Sequence, residues 1–141
     1  MSNQPDRFVT WTRPEIMDGV PTEYGWVVRH PQMLSLGLYT DIGYSTFIQA
    51  QYGITIGDYA QIGAHCSLYT ISTIDGKAGR IHIGKWACIG AGSVVMPGVT
   101  VGDGAIVGAL SFVNRSIPAG QVWGGNPIHY LKDTEEVGNA K

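Results

Sequence analysis

An aliphatic residue returns at every sixth position along most of the chain, in the order Leu36, Ile42, Ile48, then Ile56, Ile62, Leu68, Ile74, then Ile83, Ile89, Val95, Val101, Val107 and Val113. Glycine follows it at Gly37, Gly43, Gly57, Gly63, Gly84, Gly90, Gly102 and Gly108. Four places after it stands a small or β-branched residue, among them Thr40, Ala60, Cys66, Ser72, Ala87 and Ser93. Helices repeat their apolar face at about 3.6 residues and single strands at about two, so neither produces this signature. Short-period self-similarity predicts a solenoid of β-strands, each repeat being one flat side of a coil. Three sides to a turn predict a little over four turns.

The phase slips twice, between Ile48 and Ile56 and between Ile74 and Ile83. The first slip reads as a modest bulge. The second, placed at residues 75–82, is polar and glycine-bearing and must project as a loop, the kind of element where function concentrates on a rigid scaffold. Residues 1–35 are out of phase and rich in proline and aromatics (Trp11, Tyr24, Trp26). They read as an N-terminal cap over the first coil, where a bare edge would invite aggregation, or as a specificity element beside a groove. The solenoid is assigned to residues 36–125. Residues 126–141 form a C-terminal cap, with a short helix from Ile128 to Val137 or a fraying tail.

Composition adds exclusions. The 141 residues suffice for one domain, and the net charge of −2 gives no electrostatic case for nucleic acid or an anionic membrane. No apolar run approaches membrane-spanning length, and the polar N-terminus lacks a signal core, so no membrane insertion and a cytoplasmic location are expected. Cys66 falls inward and Cys88 outward, which reads as two free thiols.

The run from Ile83 to Gly102 (IGKWACIGAGSVVMPGVTVG) resembles the signature of the hexapeptide-repeat acyltransferases, and so does Ser116-Ile117-Pro118 followed by Gly125-Asn126-Pro127. The resemblance covers roughly Leu36 to Lys132. It implies an all-β fold, a left-handed parallel β-helix, assembled as a homotrimer and using acetyl-CoA or another acyl-CoA. Leu68-Tyr69-Thr70 before a projecting loop is similar to the maltose and galactoside O-acetyltransferases, yet the histidine those enzymes carry after the threonine is absent from Thr70 to Asp75. A second resemblance, to N-acetyltransferases of nucleotide-linked amino sugars, fits Ile62-Gly63-Ala64-His65-Cys66, where a histidine on the outer face precedes an inward cysteine. The implied activity is acetyl transfer to the amine of a nucleotide-linked deoxy amino sugar.

On this reading His65 is the candidate base, since imidazole exchanges a proton near neutral pH; the alternative is a solvent-exposed histidine at a corner. Asp75 is a candidate to orient it or to bind the acceptor ammonium. His82, Lys77 and Arg80 are candidates for acceptor binding. By resemblance, Ala91, Gly92 and Ala109 would let the pantetheine arm approach the backbone, and Arg115 and Lys132 would meet the cofactor phosphates; ordinary surface charge is the alternative for the two basics. Trp123 either stacks on adenine or plugs the last coil. His30 and His129 read as structural. A zinc enzyme of the γ-carbonic-anhydrase kind needs three converging histidines; Trp86 stands where a second is needed one coil beyond His65, so no metal is expected. An O-acetyltransferase, a longer-chain acyl donor and a non-catalytic scaffold remain rival readings.

Overall fold

The computed structural model describes residues 10–135; what the sequence predicts for residues 1–9 and 136–141 lies outside the described residues. The chain winds as a left-handed parallel β-helix of about five turns with three flat faces. Face I holds β1 (Val27–Arg29), β4 (Phe47–Gln49), β7 (Ser67–Tyr69), β12 (Val94–Val95) and β15 (Phe112–Val113). Face II holds β2 (Leu34–Leu36), β5 (Ile54–Ile56), β10 (Ile81–Ile83) and β13 (Thr100–Val101). Face III holds β3 (Asp41–Ile42), β6 (Gln61–Ile62), β11 (Cys88–Ile89), β14 (Ile106–Val107) and β16 (Gln121–Gly124). Each coil runs from face II to III to I.

The strands are short because the corner comes early. Three residues after each inward aliphatic, the backbone enters the left-handed region: Tyr39, Ser45, Tyr59, His65, Trp86 and Leu110 have φ of 57–63°, and Gly92, Gly98 and Gly104 fill the same place in other sides. A side chain there costs about 1–2 kcal/mol. The ladder between coils offsets it, with bonds such as Gly57 N–H to Ile83 O and Gly63 N–H to Ile89 O, both 2.8 Å. The aliphatic series fills the interior: Ile48, Ile56, Leu68, Ile83, Val95, Val101, Val107 and Val113 are buried, as are Thr46, Cys66, Ser93 and Ser111 at the small positions. Each large aliphatic contributes about 1.5–3 kcal/mol by leaving water.

Three expectations are corrected. Ile74 is 98% exposed rather than inward, because the chain leaves the coil at Ile71 and makes an antiparallel hairpin, β8 (Ile71–Ser72) with β9 (Lys77–Ala78). The projecting element is therefore this hairpin and not 75–82; His82 is back in the wall, in β10. The expected helix from Ile128 is instead β17 (His129–Asp133), antiparallel to β16. An open sheet edge at the end of the coil offers unpaired backbone groups, and β17 satisfies them. The third correction is length: β1 precedes Leu36 on face I and β16 follows Val113 on face III, so the coil exceeds the predicted turns at both ends.

The two ends differ. At the first coil Trp26 is buried, Arg13 Nη1 donates to Leu36 O at 2.6 Å, and Trp11 Nε1 donates to Thr40 O at 2.8 Å. At the last, Trp123 is 7% exposed and paired in register with Val107, so it plugs the interior.

Candidate functional site

The edge between faces III and I carries one corner residue per coil: Ser45, His65, Gly92, Leu110. Successive corners are bonded through the backbone. His65 N–H donates to Tyr44 O at 2.9 Å, Gly92 N–H to Ala64 O at 3.0 Å, and Leu110 N–H to Ala91 O at 2.9 Å. His65, Ala91, Gly92 and Ala109 thus form one continuous track. The His65 side chain is exposed, with its ring edge-on to Tyr44 (centroids 6.3 Å apart, planes at 85°). Gly92 sits at φ +74°, and a Cβ there would fall 2.6 Å from Leu110 Cδ2. Leu110 itself is 77% exposed. Tyr44 and Leu110 were not singled out from the sequence, although a bulky residue at a corner position is a readable signal.

The other expected site residues stand elsewhere. The hairpin is rooted at the edge between faces I and II, where Gly79 N–H donates to Thr70 O at 2.9 Å. Asp75 is therefore separated from His65 by the width of face I and does not orient it within one chain. Its carboxylate accepts from Ser72 and from Lys77 N–H (3.3 Å) and lies 3.9 Å from Lys77 Nζ. The Ser72 hydrogen bond, then the Lys77 amide, hold that carboxyl below the usual carboxylate range. Lys77 is thus engaged at the hairpin turn. Arg80 lies over Gly53 and donates to Thr55 Oγ1 at 3.3 Å. His82 is exposed on face II, its strand neighbours in register being Thr55 and Thr100. Arg80, Thr55 and His82 form a second polar group beside the hairpin.

Arg115 and Lys132 are at the last coil. The Arg115 guanidinium rests over the Trp123 ring, 4.9 Å from its centroid, and Lys132 is exposed on β17. The Trp123 ring is covered by Arg115 and meets Tyr130 edge-on, with centroids 6.1 Å apart, so it plugs the coil and is not an adenine platform. Burial pushes the Cys66 thiol up, and its Sγ donates to Gly90 O at 3.3 Å; that is the environment of an inert thiol. Among the described residues no group of three or more His, Cys, Asp or Glu side chains is placed to hold a metal ion. None of the described helices is long and apolar enough to cross a membrane.

Residues 80–115 match the family model described as the hexapeptide repeat of succinyl-transferase. The chain is 33% identical over 110 residues to YvoF of Bacillus subtilis, a provisionally named acetyltransferase, covering 78% of this chain and 54% of that protein. The chain therefore spans about half the length of that relative. Among solved structures it is similar to a maltose O-acetyltransferase of Clostridium difficile (TM-score 0.74, 26% identity, 79% of this chain and 65% of that one). It is also similar to a mutant form of AntD, an N-acyltransferase of Bacillus cereus solved with dTDP and coenzyme A (TM-score 0.64, 26% identity, 78% of this chain and 72% of that one).

Proposed function

The chain belongs to the hexapeptide-repeat family, and from that premise we propose that it is an acetyl-CoA-dependent N-acetyltransferase acting on the amine of a nucleotide-linked deoxy amino sugar. The observation that carries this reading is the shared edge: His65 stands one coil above Ala91 and Gly92, which are followed by Ala109. Small residues there leave room for an extended pantetheine arm beside an imidazole. The amine nitrogen attacks the thioester carbonyl, a C–N bond forms and the C–S bond breaks. His65 accepts the proton that nitrogen loses and returns it to the departing thiolate. Arg115 and Lys132, at the end of the coil, are the cations for the cofactor phosphates.

A second copy completes the site. His65 and the hairpin flank face I on opposite edges, so a neighbour in a closed threefold ring brings its hairpin, with Asp75, Lys77, Arg80 and His82, to this chain's His65 edge. A homotrimer is the assembly this arrangement asks for. The chemistry is placed in the cytoplasm.

One observation favours a second reading. His82 stands beside the hairpin, where a base for a sugar hydroxyl would be needed, and the similarity to a maltose O-acetyltransferase agrees with it. The deciding experiment is thiol release from acetyl-CoA with a panel of nucleotide-linked amino sugars and their hydroxyl counterparts, product mass confirming acylation. Release with amino sugars alone supports N-acetyl transfer. Release with hydroxyl acceptors alone replaces it with O-acetyl transfer, and failure to bind acetyl-CoA leaves a scaffold.

A further inference from the structure

A cleft of about 270 Å3 opens at the N-terminal end of the prism, where the segment carrying Trp11 and Tyr24 crosses the first coil. One wall is aromatic, made by Trp11, Trp26 and the half-exposed ring of Tyr24. The opposite wall is the start of β3, with Asp41. Asp41 pairs in register with Gln61, so a carboxylate and an amide follow one another on the outer side of face III.

The Trp11 wall is held in place. Its Nε1 donates to Thr40 O, and its ring meets Tyr39 with centroids 5.5 Å apart. Tyr39 stacks on Tyr59 at 5.2 Å, and Tyr59 lies flat on Trp86 at 4.3 Å with 2° between planes. This column climbs the edge between faces II and III. The coil does not need it to turn, because the same corner one coil further is Gly104. Its consequence is a rigid aromatic surface at the mouth of the cleft, and a preorganised wall loses little freedom on binding.

The volume suits a single small ring, being below the usual range for drug-sized ligands of about 300–1,000 Å3. Flat apolar rings facing a carboxylate match a ligand with one C–H face and a rim of hydroxyls or an amine, and charge-assisted hydrogen bonds to the carboxylate give the stronger contacts. We propose that this cleft is a saccharide subsite taking one pyranose ring, its C–H face on Trp11 and Tyr24 and its rim hydroxyl or amine on Asp41. None of the residues assigned above to acyl transfer lines it, and the subsite stands whether the acyl group goes to nitrogen or oxygen.

The test uses the full chain without acetyl-CoA. Methyl glycosides of glucose, galactose, mannose and fucose, and of glucosamine and galactosamine, are titrated by saturation-transfer NMR and tryptophan fluorescence, with dTDP and UDP as separate probes. Saturable binding of at least one glycoside is expected, weakened tenfold or more by Trp11→Ala and by Asp41→Asn, with Asp41→Asn acting more strongly on amino glycosides. The affinity of both variants for acetyl-CoA should equal that of the parent chain, which reports an intact coil. Three results overturn the proposal: no saturable glycoside binding, glycoside binding that both variants leave unchanged, or binding of dTDP or UDP with none of the glycosides. Because thiol release is not the readout, glycoside binding is seen even where the acetyl-transfer reading fails.

Discussion

Gly92 donates its N–H to the carbonyl of Ala64 at 3.0 Å, and this bond sets His65 directly one coil above Gly92. The two residues occupy the same left-handed corner, at φ 58° and 74°, one with a large side chain and one with none. A histidine in that conformation is strained, and the strain is held at the place where the candidate base is needed.

Replacing it by glycine separates the two consequences. His65→Gly should keep or raise stability, by up to about 1 kcal/mol, since glycine adopts the corner without a Cβ penalty. The same variant should lower kcat by about 10²-fold or more, the usual worth of a positioned general base, while the Kd for acetyl-CoA stays put. Thermal unfolding and thiol-release kinetics on one preparation check both. Unchanged turnover would return His65 to the role of an exposed corner residue.

The aromatic column gives a stability prediction remote from that edge. Tyr59 is stacked on both sides, by Tyr39 and by Trp86, and stacked pairs are worth about 0.5–1.5 kcal/mol beyond burial. Tyr59→Ala should therefore cost about 2–3 kcal/mol. Trp86→Ala removes one of the same contacts, so a double-mutant cycle should show coupling of about 1 kcal/mol between the two sites. Additive losses in urea unfolding would mean that the rings merely lie near one another.

The hairpin should be pH-sensitive at its tip. The Asp75 carboxyl is held below its ordinary range, first by the hydrogen bond from Ser72 and then by the Lys77 amide. A lowered pKa in the folded state means the stabilisation is present above the unfolded carboxylate pKa and is lost as the pH falls through the folded one. Amide shifts of residues Ser72 to Lys77, followed by NMR into the acid range, should move together with an apparent midpoint below that of a free aspartate. A midpoint at the free value would show the tip contacts to be absent in solution. Asp75→Asn should remove the transition.

The sixfold spacing was enough to place the coil, because a narrow interior admits one large and one small residue per side: Ile48 with Thr46, Leu68 with Cys66 and Val95 with Ser93 are buried as the phase requires. Extrapolating that phase failed at Ile74, where the residues after Thr70 satisfy their backbone groups by pairing with each other in a hairpin. It failed again at His129–Asp133, where an open sheet edge took a segment that reads as helical in isolation. The His65, Ala91, Gly92 and Ala109 track was legible, since all four sit at or beside the corner following an inward aliphatic. The separation of His65 from Asp75 was not, because nearness in sequence hides the width of the face that β7 crosses between them.

That separation leads to the assembly. Ile74, 98% exposed at a hydrogen-bonded hairpin tip, is an apolar side chain presented to water on the element that one chain cannot fold back to its own His65 edge. In a homotrimer it has somewhere to go, namely the neighbouring protomer's edge, where Leu110 is 77% exposed. Burying an isoleucine contributes about 1.5–3 kcal/mol, so Ile74→Ser should weaken assembly by tenfold or more per contact. It should leave the unfolding of the isolated chain within about 0.5 kcal/mol, as for other exposed sites. Light scattering across a concentration series reads the first and urea unfolding at high dilution the second. A parent chain that is monomeric at every concentration, or a variant that assembles as tightly as the parent, would leave the hairpin without this role and the two halves of the site unjoined.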